Sequence, residues 1–390
     1  MGIWAARKCE PASAGERELS LARQDGLTKS DAPWATVLAR GFAAVRSAPS
    51  GILRGLNVPT FTPAWFLRGP HAQTIWGRLA RPRRLVRFRR ETLTTPDGDE
   101  LVLDHLDAPA RNDRYRFVLL HGLEGSTNSV YIQGLLSAIA RRGFAATAVN
   151  FRSCARDPKR VGVSIPNRRP RFYHSGETGD FDFVVRTLRA RAPNVRLLAA
   201  GASLGGNVVL KWLGEHPGQT DVAAAATFSV PYDLGAGSKH LEYGFLRRFY
   251  VNRFLATLKK KTKWLVAHFP EMRERVDLKA VMRAKTFRDI DNAATAPIHG
   301  FRDADDYYAR SSSIHFLGAI TTPTLCVSAA DDPFLPAEVL DEAKAVASPS
   351  VEFHITDCGG HTGFIAGTAP WRCDYWAEEL VIGWLAEHAR

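Results

Sequence analysis

The five residues Gly201-Ala202-Ser203-Leu204-Gly205 limit what this chain can fold into more than any other stretch. A G-x-S-x-G spacing alone is weak, because small residues are common. Its surroundings make it strong. The apolar run Arg196-Leu197-Leu198-Ala199-Ala200 leads straight into it, and a helical pattern from Asn207 to Leu213 leaves it. A strand, a very tight turn and a helix in that order hold a serine on a strained backbone, with its hydroxyl raised above the strand end. Bulkier residues two before or two after the serine would collide with the crossing chain, which accounts for Gly201 and Gly205. The hydroxyl then stands at a helix N-terminus, whose amides can hold a developing oxyanion.

A serine hydroxyl is a poor nucleophile near neutral pH, so it needs a base and a group to orient that base. Both follow in the order serine, acid, histidine. The acid comes from the loop after the strand Leu325-Cys326-Val327-Ser328, which reads Ala329-Ala330-Asp331-Asp332-Pro333-Phe334-Leu335-Pro336. Asp331 and Asp332 compete; a proline four positions on favours Asp332. The histidine is His361, in Cys358-Gly359-Gly360-His361-Thr362-Gly363-Phe364 after the strand Val351–Ile355. Its glycines let the backbone bring the imidazole close to the serine. His354 lies inside a strand and reads as structural, while His240, His268 and His299 fall in or near an insertion. Two amides are needed for the oxyanion. One is the Leu204 N–H, directly after the serine. The other is the Leu123 N–H, after His121-Gly122 at the end of the strand Val118–Leu120.

The rest of the chain supplies a scaffold for these loops. Leu85–Arg89 reads as a first strand, Pro96-Asp97-Gly98-Asp99 as a turn and Leu101–Leu106 as its hairpin partner. Apolar strands then alternate with helices: Arg116–Leu120, Ser129–Arg142, Ala145–Phe151, Glu177–Arg191, Val195–Ala200, Ser203–Glu215 and Ala223–Val230. That alternation implies a mainly parallel sheet covered by helices on both faces. It stops after Pro231 and resumes at Pro323. Between them, about Tyr232 to Thr322, lies a helical insertion expected to cap the site. Its Phe245, Phe249, Phe254, Leu255, Trp264 and Phe269 read mostly as the cap's own packing rather than as an acyl tunnel. A helix at Ala337–Val346, the strand Val351–Ile355 and a helix at Asp374–His388 close the chain. Ser175, in Tyr173-His174-Ser175-Gly176-Glu177-Thr178, reads as a helix N-cap. Residues 1–56 read as a poorly ordered extension, within which Trp34–Val45 has a short amphipathic pattern; 57–390 form the main domain.

These stretches resemble the α/β-hydrolase fold, and more narrowly the YheT-like hydrolases, relatives of eukaryotic abhydrolase-domain lipases and acyltransferases. The resemblance rests on Arg68-Gly69-Pro70-His71-Ala72-Gln73-Thr74-Ile75, His121 to Ser126, Asn150-Phe151-Arg152-Ser153-Cys154, Tyr173 to Thr178, Gly201 to Asn207 and Gly359-Gly360-His361. Ala296 to Phe301 and Asp305-Asp306-Tyr307-Tyr308 add to it. Pro70, Ala72 and Ser153 depart from the group's pattern, where Gly, Leu and Gly are usual. The resemblance spans about Pro59 to Arg390 and implies a carboxylic-ester hydrolase with Ser203, Asp332 and His361 as its triad. It also implies a small, hydrophobic ester substrate. Transfer of the acyl group to an alcohol is the alternative outcome, and a non-catalytic basic binding protein on the same scaffold is a third.

Composition enters through charge and cysteine. The formal net charge is +12, spread along the chain. It invites a nucleic-acid or anionic-membrane partner, but we read it as a surface property: peripheral contact with an anionic membrane surface is compatible with it, and no nucleic-acid partner is expected. Five cysteines (Cys9, Cys154, Cys326, Cys358, Cys373), with no Cys-x-x-Cys, fit a reducing, cytoplasmic compartment rather than a disulfide framework. No metal-ligand spacing stands out, and no cofactor or metal is expected.

Overall fold

The central strands are apolar along their whole length, which requires cover on both faces of the sheet they form. A computed structural model describes residues 60–81, 85–108, 114–160 and 162–389. The expected N-terminal extension and its Trp34–Val45 helix lie outside these residues. Eight strands form one sheet: β1 (Arg89–Thr94), β2 (Glu100–Leu106), β3 (Tyr115–Leu120), β4 (Ala145–Asn150), β5 (Arg196–Ala202), β6 (Val222–Phe228), β7 (Thr324–Ala329) and β8 (Val351–Thr356). Their order is β1-β2-β4-β3-β5-β6-β7-β8. β1 and β2 pair antiparallel, β2 joins β4 antiparallel, and every other neighbour is parallel.

Helices α1 (Pro70–Ala80), α2 (Val130–Arg141), α3 (Thr178–Arg191) and α4 (Leu204–Glu215) precede or link the early strands. The β6-to-β7 connection is helical. It contains α5 (Leu234–His240), α6 (Asn252–His268) and α7 (Ala304–Ser311), with shorter turns between them. This insertion has its own apolar cluster, including Leu255, Leu265, Val266, Met272, Val281 and Ile290. After β7 come α8 (Glu338–Val346) and β8. A small hairpin, β9 (Ile365–Ala369) with β10 (Arg372–Tyr375), precedes the final helix α9 (Trp376–Glu387).

Chain order and spatial order reverse around β3. β4 lies on one side of it and β5 on the other, so the loops leaving β3 and β5 face each other at the carboxyl edge. Register makes this concrete, since Leu120 is paired with Gly201. The same edge receives the loops after β7 and β8.

Three local expectations are corrected. The first strand is Arg89–Thr94, not Leu85–Arg89. The tight turn at 95–99 pairs Thr94 with Glu100, so the strand must abut the turn. The Leu85 N–H instead donates to Gln133 Oε1 at 3.0 Å. Ser175 does not cap α3. Glu177 occupies the N-cap position without a side-chain cap bond. The Ser175 N–H is taken by Tyr307 Oη at 2.9 Å and its carbonyl by Asn207 Nδ2 at 2.8 Å. The last helix starts at Trp376, because Asp374 and Tyr375 belong to β10.

Candidate active site

β5 ends at Ala202, and Ser203 follows with φ 53° and ψ −126°, outside the comfortable region for a side chain with a Cβ. α4 begins at the next residue. The two glycines are demanded by backbone, not by side chains. A Cβ at Gly201 would lie 2.5 Å from the Gly205 carbonyl oxygen, and one at Gly205 would lie 2.5 Å from the Leu120 carbonyl oxygen. The strained serine is held by its N–H, which donates to the Phe228 carbonyl at 3.0 Å. Asn207, one turn into α4, anchors the elbow from behind. It donates to the Ser175 and Ser311 carbonyls, both at 2.8 Å, and accepts from the Ser313 N–H at 2.9 Å.

Ser203, His361 and Asp332 come together. Ser203 Oγ lies 2.9 Å from His361 Nε2, and His361 Nδ1 lies 2.9 and 3.1 Å from the Asp332 carboxylate oxygens. Asp332 also accepts from the Phe334 N–H at 2.8 Å. The Phe334 ring stacks on the imidazole at 4.1 Å between centroids, so packing as well as hydrogen bonding sets its plane. His361 and Asp332 side chains are only 10% and 8% exposed, so their contact is shielded from water.

Asp331 does different work. Its Oδ1 accepts from the Gly360 N–H at 2.8 Å, bracing the histidine loop. Its Oδ2 is buried and has no hydrogen-bond partner among the described residues. Burial, reinforced by the neighbouring Asp332 charge, pushes this carboxyl up to about 6.

Two supporting residues, Gln73 and Thr74, were not singled out as site residues from sequence, although they lie in the stretch Arg68–Ile75. Thr74 Oγ1 accepts from the His361 N–H at 2.9 Å. Gln73, buried, accepts from the Ile365 N–H at 2.6 Å and donates to the Leu67 and Ile365 carbonyls. α1 thus pins both ends of the histidine loop. Gly360 (φ 61°) passes so close to α1 that a Cβ there would run into the Pro70 carbonyl oxygen.

The loop after β3 approaches the serine directly, since a Cβ at Gly122 would sit 3.0 Å from Ser203 Cβ. His121 organises this loop. Its Nδ1–H donates to the Gly122 carbonyl at 2.8 Å, and its Nε2 accepts from the Phe151 N–H at 3.1 Å. Both contacts need the neutral ring, and burial lowers its pKa to about 3. Relative to an unfolded value near 6.5, that depression gives stability that is full above pH 6.5 and lost as pH falls toward 3. At pH 5 the loss amounts to roughly 2 kcal/mol. The melting-temperature gap between wild type and His121→Gln should therefore narrow from pH 7 to pH 5; a constant gap would contradict this.

A second polar cluster joins the main body to the insertion. Ligand atoms of His174, Glu177 and His299 lie within 4.8 Å of one another. The contacts suit packing, with the His174 ring edge-on to His299 at 4.6 Å between centroids, better than a cation. The Gly176 N–H donates to His174 Nδ1 at 3.2 Å, so the neutral ring carries its proton on Nε2, facing Glu177 at 3.6 Å. A metal ligand would need a lone pair there. Arg171 already holds the same Glu177 oxygen, and burial pushes the His174 imidazole down to about 3.

The aromatic residues of the insertion divide. Leu255 is buried, and Trp264 and Phe269 pack on the insertion's own cluster. Phe254 reaches Phe334 at 6.2 Å between centroids, while Phe245 and Phe249 stack on each other at 5.3 Å and remain exposed. Tyr250 bridges these groups, touching Phe249 at 5.0 Å and Phe334 at 4.9 Å. An aromatic path thus runs from the surface to the ring that covers His361.

A parallel sheet with a strained serine after β5 and a Ser–His–Asp contact across its carboxyl edge defines the class of α/β hydrolases. The family model for the alpha/beta hydrolase fold matches residues 115–368, and the chain belongs to that family, as an esterase- and lipase-type member. It is 36% identical to the Escherichia coli (strain K12) protein YheT, named as an esterase, over 84% of this chain and 93% of that one. It is 31% identical to phospholipase ABHD3 of Mus musculus over 81% of this chain and 76% of that one. A monoacylglycerol lipase of Saccharomyces cerevisiae is 28% identical over 71% of this chain and 59% of its own length. Among the described residues, no helix is long and apolar enough to cross a membrane.

Proposed function

We propose that the protein hydrolyses carboxylic esters of lipid-like character, such as acylglycerols, by a Ser203–His361–Asp332 triad through an acyl-enzyme. The observation that carries this reading is the 2.9 Å contact from Ser203 Oγ to His361 Nε2, with Asp332 on the opposite ring nitrogen. His361 takes the serine proton as Oγ attacks the acyl carbon, and Asp332 stabilises the imidazolium that forms. The amides of Leu123 and Leu204 receive the oxyanion. His361 then gives the proton to the leaving alcohol. Water, activated by the same imidazole, releases the acid.

The names of the relatives support an ester of fatty acid and alcohol as substrate. The exposed side chains of Tyr243, Phe245 and Phe249, in a segment that also exposes Arg248 and Arg253, support peripheral contact with an anionic lipid surface. One experiment addresses both points. Turnover of p-nitrophenyl esters should rise from acetate to longer chains, and long-chain esters in phosphatidylglycerol vesicles should turn over faster than in phosphatidylcholine vesicles. A preference for acetate would overturn the lipid-like substrate. Equal rates in the two vesicles would overturn the anionic contact. Acyl transfer shares the acyl-enzyme, so product analysis with added alcohol separates the outcomes: free acid alone counts against transfer.

A further inference from the structure

We propose that Lys261, on helix α6 of the insertion, is a positioning residue for the loop that carries the Leu123 amide, so that the insertion completes the oxyanion site. This rests on the assignment of Ser203 and Leu123 above.

The loop's other amides are already engaged. The Gly122 N–H donates to Tyr131 Oη at 2.8 Å, the Glu124 N–H to Tyr173 Oη at 2.6 Å and the Gly125 N–H to the Gly122 carbonyl at 3.0 Å. The Ser126 N–H donates to Ser129 Oγ at 3.1 Å. Between 122 and 126, only the Leu123 N–H has no partner among the described residues. The next residue, Glu124, sits in the left-handed region with φ 55°. A glutamate pays a conformational penalty there and stays only if its surroundings hold it.

Two groups hold it. Glu124 Oε1 accepts from Tyr173 Oη at 3.0 Å and from Lys261 Nζ at 2.7 Å. Lys261 and Glu124 side chains are 14% and 8% exposed, so this is a largely dry ion pair. The ammonium also lies 3.4 Å from Cys154 Sγ and 5.5 Å above the Tyr173 ring. Without Lys261 the carboxylate is left buried and short of a counter-charge. It can then reach water only by moving. That movement takes Glu124 out of the left-handed region, pulls its N–H off Tyr173 and shifts Leu123 with it, so that the Gly122–Leu123 peptide, which carries the Leu123 N–H, is no longer held toward the serine.

The test uses the full chain and p-nitrophenyl esters, well below the melting temperature of each variant. Lys261→Met should lower kcat about 10- to 100-fold, somewhat less than outright loss of an oxyanion donor, with KM within about twofold. Lys261→Arg should recover part of the loss. If Lys261→Met does not fold, Lys261→Gln, which leaves the carboxylate equally short of a counter-charge, takes its place; the charge-neutral pair Glu124→Gln with Lys261→Met leaves no carboxylate to be driven out and should recover most of the kcat that Lys261→Met loses. Wild-type kcat in a folded Lys261→Met or Lys261→Gln overturns the proposal, as does a double variant as slow as the single one or a loss confined to KM. Ser203→Ala is run beside them. If it retains turnover, the triad reading fails. If it is inactive while Lys261→Met is fully active, only the positioning role fails.

Discussion

Ser203→Ala should lower kcat on p-nitrophenyl esters by about a million-fold, because the triad acts as a unit and its nucleophile has no substitute. The same variant should lose labelling by a fluorophosphonate probe that the wild type accepts. No nearby group can replace the oxygen. It is placed by a strained backbone at φ 53° that two glycines make room for. His361 without Ser203 still faces the same position and can direct a water there. A residual rate above background is therefore expected, with a pH profile set by the remaining base. KM should change little, since the side chain removed is small and the insertion's aromatic residues are untouched. A variant that keeps a tenth or more of wild-type turnover would show that another residue is the nucleophile. Melting temperature should stay within a few degrees of wild type, which separates this result from misfolding.

The second large effect distinguishes two neighbouring carboxyls. Asp332→Asn should reduce kcat by about ten-thousand-fold, because the amide offers an N–H where the ring needs an acceptor and favours the wrong tautomer of His361. Asp331→Asn should stay within about threefold of wild type, since its amide oxygen can still accept from the Gly360 N–H. The contrast follows from geometry. Asp332 contacts Nδ1 with both oxygens, whereas Asp331 faces the backbone of the histidine loop. Equal losses in the two variants would mean that the loop, rather than the Asp332 charge, is what matters. Removing Asp331 also removes a carboxyl, pushed up to about 6, next to Asp332, so the acid limb of the rate profile should become simpler in that variant.

What the chain reveals without a structure depends on how local each feature is. The elbow at Ser203 was legible because strand, turn and helix are contiguous, and the glycines are required by atoms within a few residues or on the adjacent strand. The alternation of apolar strands with helices likewise led to the parallel sheet. Asp331 and Asp332 could not be separated firmly, because neighbouring residues in an irregular loop face opposite ways and only the tertiary path says which meets His361. Gln73 and Thr74 were out of reach for a similar reason. Their partners are the backbones of Ile365 and His361, nearly three hundred positions away. The hairpin of β9 and β10 went unseen, since Ile365-Ala366-Gly367-Thr368-Ala369 has little polar–apolar alternation. Ser175 misled because serine before acidic residues is a good cap signal, whereas here its backbone is used to tie Tyr307 and Asn207 together. Lys261 stands in the run Lys259-Lys260-Lys261, where nothing local separates it from its neighbours, and only the packing of α6 turns it inward.

The strand order has a consequence for how the protein comes into being. β3 and β5, which bring the oxyanion loop to the serine, lie in the first half of the described chain, while the acid and the base follow β7 and β8. On the proposed triad, a growing polypeptide has the strand and turn of its elbow early, but it lacks both the Ser311 and Ser313 backbone that anchors Asn207 and any proton acceptor until the insertion has been made and the last strands have docked. Reactivity is thereby delayed to the end of synthesis. On that reading, a prematurely terminated fragment would carry an inert serine.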